Sequence, residues 1–145
     1  MKIAGSAKLP FAAERAYAVM QDPLVLAKAI PGCDALEKTG EDEYRLKMKM
    51  VLASLSGSFE GKVRLTDSNP PRSFRMLVEG SGKIGFMKGD GLIQIASAPD
   101  GGVDISYEGD AQIGGTMAAV GNRMIDMTAR MLIKRFFEKL AAEPA

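Results

Sequence analysis

Residues 103–113 read Val103-Asp-Ile-Ser-Tyr107-Glu-Gly-Asp-Ala-Gln-Ile113, and after Gly114-Gly115-Thr116 the chain continues Met117-Ala-Ala-Val-Gly-Asn-Arg-Met124-Ile-Asp-Met-Thr-Ala-Arg-Met131-Leu-Ile-Lys-Arg-Phe136-Phe-Glu-Lys-Leu140. The first half alternates: Val103, Ile105, Tyr107, Ala111 and Ile113 against Asp104, Ser106, Glu108, Asp110 and Gln112. That is the period of a strand with one dry and one wet face. From Met117 the period becomes that of a helix. Its polar stripe is Arg123, Asp126, Arg130, Lys134 and Glu138. The apolar face opposite is Met117, Val120, Gly121, Met124, Thr128, Met131 and Leu132, flanked by Phe136. Thr116 is the expected N-cap, and the helix predicted over 117–140 would be about 37 Å long. A curved sheet that ends by laying one long helix across its mouth encloses space.

Upstream, the same alternation recurs. Residues 2–9 place Ile3, Gly5, Ala7 and Leu9 on one face. In 43–50, Tyr44, Leu46, Met48 and Met50 oppose Glu43, Arg45, Lys47 and Lys49, and 58–66 sets Phe59, Val63 and Leu65 against Glu60, Lys62 and Arg64. Phe74, Met76 and Val78 mark a further strand, and 91–98 another. Residues 12–20 are helix formers, and Asp22-Pro23 starts a second short helix that Pro31-Gly32 ends. The order is strand, two short helices, six strands (five of them located by their alternation), long helix. This predicts one α+β domain over 1–145, an antiparallel sheet with its helices on one side. Glycines 57, 61, 80, 82, 85, 89 and 91 fall in or beside strands, where they mark bends.

Composition removes most active-site chemistry. The chain has no His, no Trp and one Cys, with 19 basic and 18 acidic residues. Nucleic acid is not an expected partner without a basic excess. Zinc and most redox metals lack their ligands, and Cys33 has no imidazole to activate it. No metal site and no catalytic residue is expected. A single Cys makes no internal disulfide, and Met1-Lys2-Ile3-Ala4 leads into a strand without a signal-like stretch, so a cytoplasmic location is expected.

Two motifs have a functional and a plain reading. Gly80-Ser-Gly82-Lys-Ile-Gly85 matches a dinucleotide fingerprint, but that fingerprint needs a following helix. Here Phe86-Met-Lys-Gly-Asp-Gly and another strand follow, so a hairpin is expected. The ten Met residues are either ordinary core or a deformable lining for a lipophile.

Several ordered segments carry a resemblance: Leu26-Ala-Lys-Ala-Ile30-Pro31-Gly-Cys33-Asp-Ala-Leu-Glu37, Leu55-Ser-Gly-Ser-Phe59-Glu-Gly-Lys-Val-Arg-Leu-Thr-Asp67, Asn69-Pro-Pro71, the Gly80–Phe86 string, and 113–124 followed by Phe136-Phe137. Together the chain resembles the family of the carbon monoxide dehydrogenase G subunit, within the START-like helix-grip superfamily, over nearly its whole length. The resemblance implies a curved seven-stranded antiparallel sheet around a long C-terminal helix, with a hydrophobic cavity between them. It further implies a non-enzymatic accessory protein that recruits a molybdenum hydroxylase of the carbon monoxide dehydrogenase type to the cytoplasmic face of the membrane. The implied ligand is a quinone or other lipophile, with no tightly bound cofactor. The expected cavity lining is Phe59, Phe74, Met76, Phe86, Met87, Tyr107, Met117, Val120, Met124 and Met131. Tyr107 is the expected polar handle, through its hydroxyl, and the cavity is expected to hold roughly 300–1,000 Å³. The expected portal lies among Leu24, Ile30, Pro31, Ile84 and Phe86, with Phe86 as an apolar lip. Two other readings stay open: an enzyme acting on a hydrophobic substrate in the cavity, which needs an acid or base such as Glu79 or Asp90 inside, and an interaction module with a filled core.

Overall fold

Antiparallel strands joined by tight turns pair readily with their chain neighbours, and every strand after the first does so here. The structure is a computed structural model that describes residues 1–144. Its strands are β1 (Lys2–Leu9), β2 (Cys33–Gly40), β3 (Glu43–Leu52), β4 (Leu55–Asn69), β5 (Ser73–Gly82), β6 (Gly85–Ser97) and β7 (Val103–Gly114). They form one antiparallel sheet in the order β1-β7-β6-β5-β4-β3-β2. Between β1 and β2 lie the helices α1 (Ala13–Val19) and α2 (Pro23–Ala29). In α2, Pro23 fills the first turn and the Leu24 N–H donates to the Asp22 carboxylate at 2.9 Å, an N-cap that satisfies an otherwise free donor. The Gly80–Gly85 string is a hairpin turn, with Gly82 paired to Gly85.

The strand faces sort as their alternation requires. Val103 and Ile105 are buried while Asp104, Ser106, Glu108 and Asp110 are exposed. On the wet face Lys8 pairs with Asp104 across β1 and β7 at 3.5 Å, an exposed contact worth little. Strand β2 has no comparable alternation. Only Cys33 and Leu36 are partly buried, because β2 is an edge strand whose outer side faces water. Cys33 is half-buried rather than part of the core, and burial is the main reason its thiol pKa is raised.

The C-terminal helix departs from expectation at its start. Gly115–Val120 forms a 3-10 segment, Gly121 breaks it at φ 92° and ψ 152°, and the α-helix proper, α3, is Asn122–Ala141. Thr116 makes no cap, and the 20 residues of α3 span about 30 Å. The break changes the face that α3 presents. Ile125, Phe137 and Leu140 are buried, with Ile133 and Phe136 packed beside them. Met117 is buried as expected, but Met124 and Met131, at 39% and 41% exposure, point to solvent. Counting helical turns from Met117 fails because Gly121 resets the phase.

Two apolar clusters hold α3 to the sheet. One gathers Leu9, Phe11, Val19, Val25, Phe74, Ile93, Ile105, Phe137 and Leu140. The other gathers Leu52, Phe59, Ile84, Met117 and Ile125 at the opposite end. The Tyr44 hydroxyl donates to the Gln21 carbonyl at 2.7 Å, fixing the α1–α2 junction to β3.

Candidate ligand cavity

Between these clusters the inner sheet face runs short of side chains. Strand parity puts Gly61 of β4, Gly80 of β5, Gly89 and Gly91 of β6, and Gly109 and Ala111 of β7 on the side facing α3. Gly91 pairs with Gly109, Gly89 with Ala111, and Gly61 with Gly80. Some of these positions also need close approach: a Cβ on Gly109 would sit 2.9 Å from the Gly91 Cα. Helix α3 crosses this bare patch with Ile133, Phe136 and Phe137, and a half-open cavity of about 200 Å³ remains. Its other walls are Ile3, Met76, Val78, Met87, Ile93 and Tyr107.

The Tyr107 ring stacks on Phe137, with centroids 5.8 Å apart and planes at 18°. Tyr107 can lie flat there because its β1 partner is Gly5: a Cβ on Gly5 would sit 2.7 Å from Tyr107 Cζ. Asp90, Glu108 and Asp110 contribute backbone to the wall, but their side chains are exposed on the other sheet face, as is Glu79. Among the described residues no charged side chain is buried. No carboxylate, Lys or Arg side chain points into the cavity, and the Tyr107 hydroxyl is the acid or base group on its wall. Two larger hollows, of about 510 and 570 Å³, lie on the outer sheet face. They are lined by charges of both signs, including Glu43, Arg45, Lys62, Arg64, Glu79 and Lys88. The smaller inner cavity differs from both in having apolar walls.

Of the residues expected in the lining, the structure brings Met76, Met87 and Tyr107 together there. Phe74 is sealed in one core cluster; Phe59 and Met117 are sealed in the other, with Val120 packed against it. Met124 and Met131 lie outside, turned away by the phase change at Gly121. Phe86 is corrected most sharply. It neighbours Met87 in one strand and so takes the opposite face. There its ring covers Gly114, and the residue is 53% exposed. Ile84 is buried, and its carbonyl accepts from the Met117 N–H at 2.7 Å. Neither Ile84 nor Phe86 forms a lip on the cavity. Leu24 is exposed on α2, with Ile30 and Pro31 half-buried behind it, and α2 packs on β2 and α3. The volume is also below the expected 300–1,000 Å³ range. The forward count from Met117 misses Ile133, Phe136 and Phe137 as lining, and a count backwards from Leu140 in steps of three and four finds them.

Residues 5–144 match the model of the family described as the G subunit of carbon monoxide dehydrogenase (CoxG). The chain belongs to the CoxG family. Among solved structures, it is similar to a conserved protein from Geobacillus kaustophilus at 33% identity and TM-score 0.93, over 97% of this chain and 93% of that one. A START superfamily protein from Mycobacterium smegmatis shares the fold at TM-score 0.70 and 12% identity, over 97% and 94% of the two chains. The Zhui aromatase/cyclase from Streptomyces sp. R1128 shares it at TM-score 0.66 and 11% identity, over 97% and 91%. No curated protein matches the chain. No helix among the described residues is long and apolar enough to cross a membrane.

Proposed function

We propose that this chain is a non-catalytic accessory domain that holds a lipophilic ring, a quinone being the best candidate. Its partner is a molybdenum hydroxylase of the carbon monoxide dehydrogenase type, served at the cytoplasmic face of the membrane. The observation that carries the reading is the cavity of about 200 Å³ between the glycine-bare sheet and Ile133, Phe136 and Phe137. An apolar cavity of about 150 Å³ accepts benzene, so this volume suits one substituted ring, with any tail leaving through the open side. The stacked Tyr107 and Phe137 rings offer a flat wall, and the thioethers of Met76 and Met87 adapt to substituents. The Tyr107 hydroxyl is the polar handle for a ring carbonyl.

The test begins with mass spectrometry of organic extracts from protein purified without detergent. A short-chain benzoquinone is then titrated against tyrosine emission, which is readable because the chain has no Trp. Gly91→Leu is the matched control. Its Cβ would make ordinary contact, 3.4 Å from the Glu108 carbonyl oxygen, and the rest of its side chain would fill the cavity. The wild type should bind the benzoquinone and the folded variant should not. Absence of any extracted lipophile, together with no titration by the wild type, would sink the proposal.

A further inference from the structure

Helix α3 is apolar on two sides. Counted at about 100° per residue, Met124, Met127 and Met131 fall within about 60° of one another, half a turn from Ile133 and Leu140. They are 39%, 58% and 41% exposed, among the few large apolar side chains left in water. Their spacing is i, i+3, i+7, the anchor pattern of a helix laid into a groove. Methionine suits such a surface because it packs against varied shapes, and contiguous exposed apolar patches mark interaction sites. Cations flank the stripe. Arg130 is committed to Asp126 at 2.8 Å and Lys134 lies 4.0 Å from Glu138, whereas Arg123 and Arg135 have no carboxylate within salt-bridge distance among the described residues.

Charge selects the occupant. A second copy packed on this stripe would oppose Arg123 and Arg135 with the same cations. A bilayer is disfavoured because the stripe is only about 10 Å long and the charged pair Lys134 and Glu138 interrupts it on the same side, leaving little continuous apolar surface to bury. We infer that the Met124–Met127–Met131 face of α3 docks into an apolar groove of a partner protein whose rim carries carboxylates. This rests on the accessory reading above, which supplies the partner to be tested.

The probe is the purified holoenzyme of the carbon monoxide dehydrogenase type from the same organism, with binding measured against the immobilised full chain. Met127→Asp/Met131→Asp should weaken binding by about 30-fold or more, the scale of central interface anchors. These residues lie in water, so the melting temperature should hold. Arg123→Glu/Arg135→Glu should weaken binding and flatten its salt dependence. Leu77→Asp, on the outer sheet face, should leave binding unchanged. If the wild type binds the enzyme and the methionine variant binds equally well, the docking surface is elsewhere and the accessory reading stands. If the wild type fails to bind the enzyme, the accessory reading and this partner fall together. Flotation of the wild type, but not the variant, with phosphatidylglycerol–phosphatidylcholine vesicles would assign the stripe to a bilayer and overturn the inference. Methionine-dependent dimerisation would overturn it in favour of a second copy.

Discussion

Tyr44 is buried and donates to the Gln21 carbonyl, so a single hydroxyl ties the helical hairpin to the sheet. Tyr44→Phe removes that bond and leaves the carbonyl unpartnered, a loss of about 1 kcal/mol, or about 2–4 °C in melting temperature for a chain this size. Burial first, then the charges of Asp42 and Asp22, holds the phenol pKa above its ordinary value of 10.0. The unfolded chain ionises first, so this contribution is complete below about pH 10 and is lost as the pH rises through the folded value. Urea melts between about pH 8 and 11 should show the wild type losing stability and Tyr44→Phe losing less; parallel loss in both would assign the alkaline sensitivity to another group. At this scale the sequence is partly legible. Met76, Met87 and Tyr107 can be placed because strand parity is a two-way choice. Met124 and Met131 are misplaced because a helical count carries no warning where its phase is reset.

The element that resets it is the junction at Gly121, whose φ of 92° and ψ of 152° lie in a region only glycine enters readily. A Cβ there would meet nothing within 4 Å. Gly121→Ala therefore isolates the backbone cost, about 1–3 kcal/mol, and thermal melts should show it without any loss of packing. Unchanged stability would mean that the junction relaxes and the phase of α3 is not fixed there. Strand β2 is the other illegible element. Asp-Ala-Leu-Glu-Lys-Thr over 34–39 offers neither alternation nor β-branched bulk beyond Thr39, and an edge strand needs little of either because one side answers to water. The interior strands are legible for the opposite reason: two faces with two solvents enforce a period.

At the scale of the molecule, the order of parts suffices for the architecture, since hairpin-linked strands closed by one helix leave few topologies. The cavity is legible only in kind. Its volume is set by the side chains that Gly89, Gly91 and Gly109 lack, and Gly89 and Gly91 read equally well as bends. The same sheet joins its first strand to its last: β1 pairs only with β7, and the Met1 amine donates to the Ala111 carbonyl across 110 residues of sequence. Strands β2 to β7 pair with chain neighbours, whereas β1 must close a very long loop, the slow kind of contact. Pulsed hydrogen exchange during refolding should protect the β4–β5 amides before those of Ala4 to Lys8; simultaneous protection would mean that β1 docks within the nucleus. On the ribosome the consequence is sharper. The strand made first waits unpaired until residues 103–114 emerge, and the roof of the cavity is made later still. Any cargo is therefore loaded only after residues 122–141 have emerged, and a nascent chain stalled before them is an empty one.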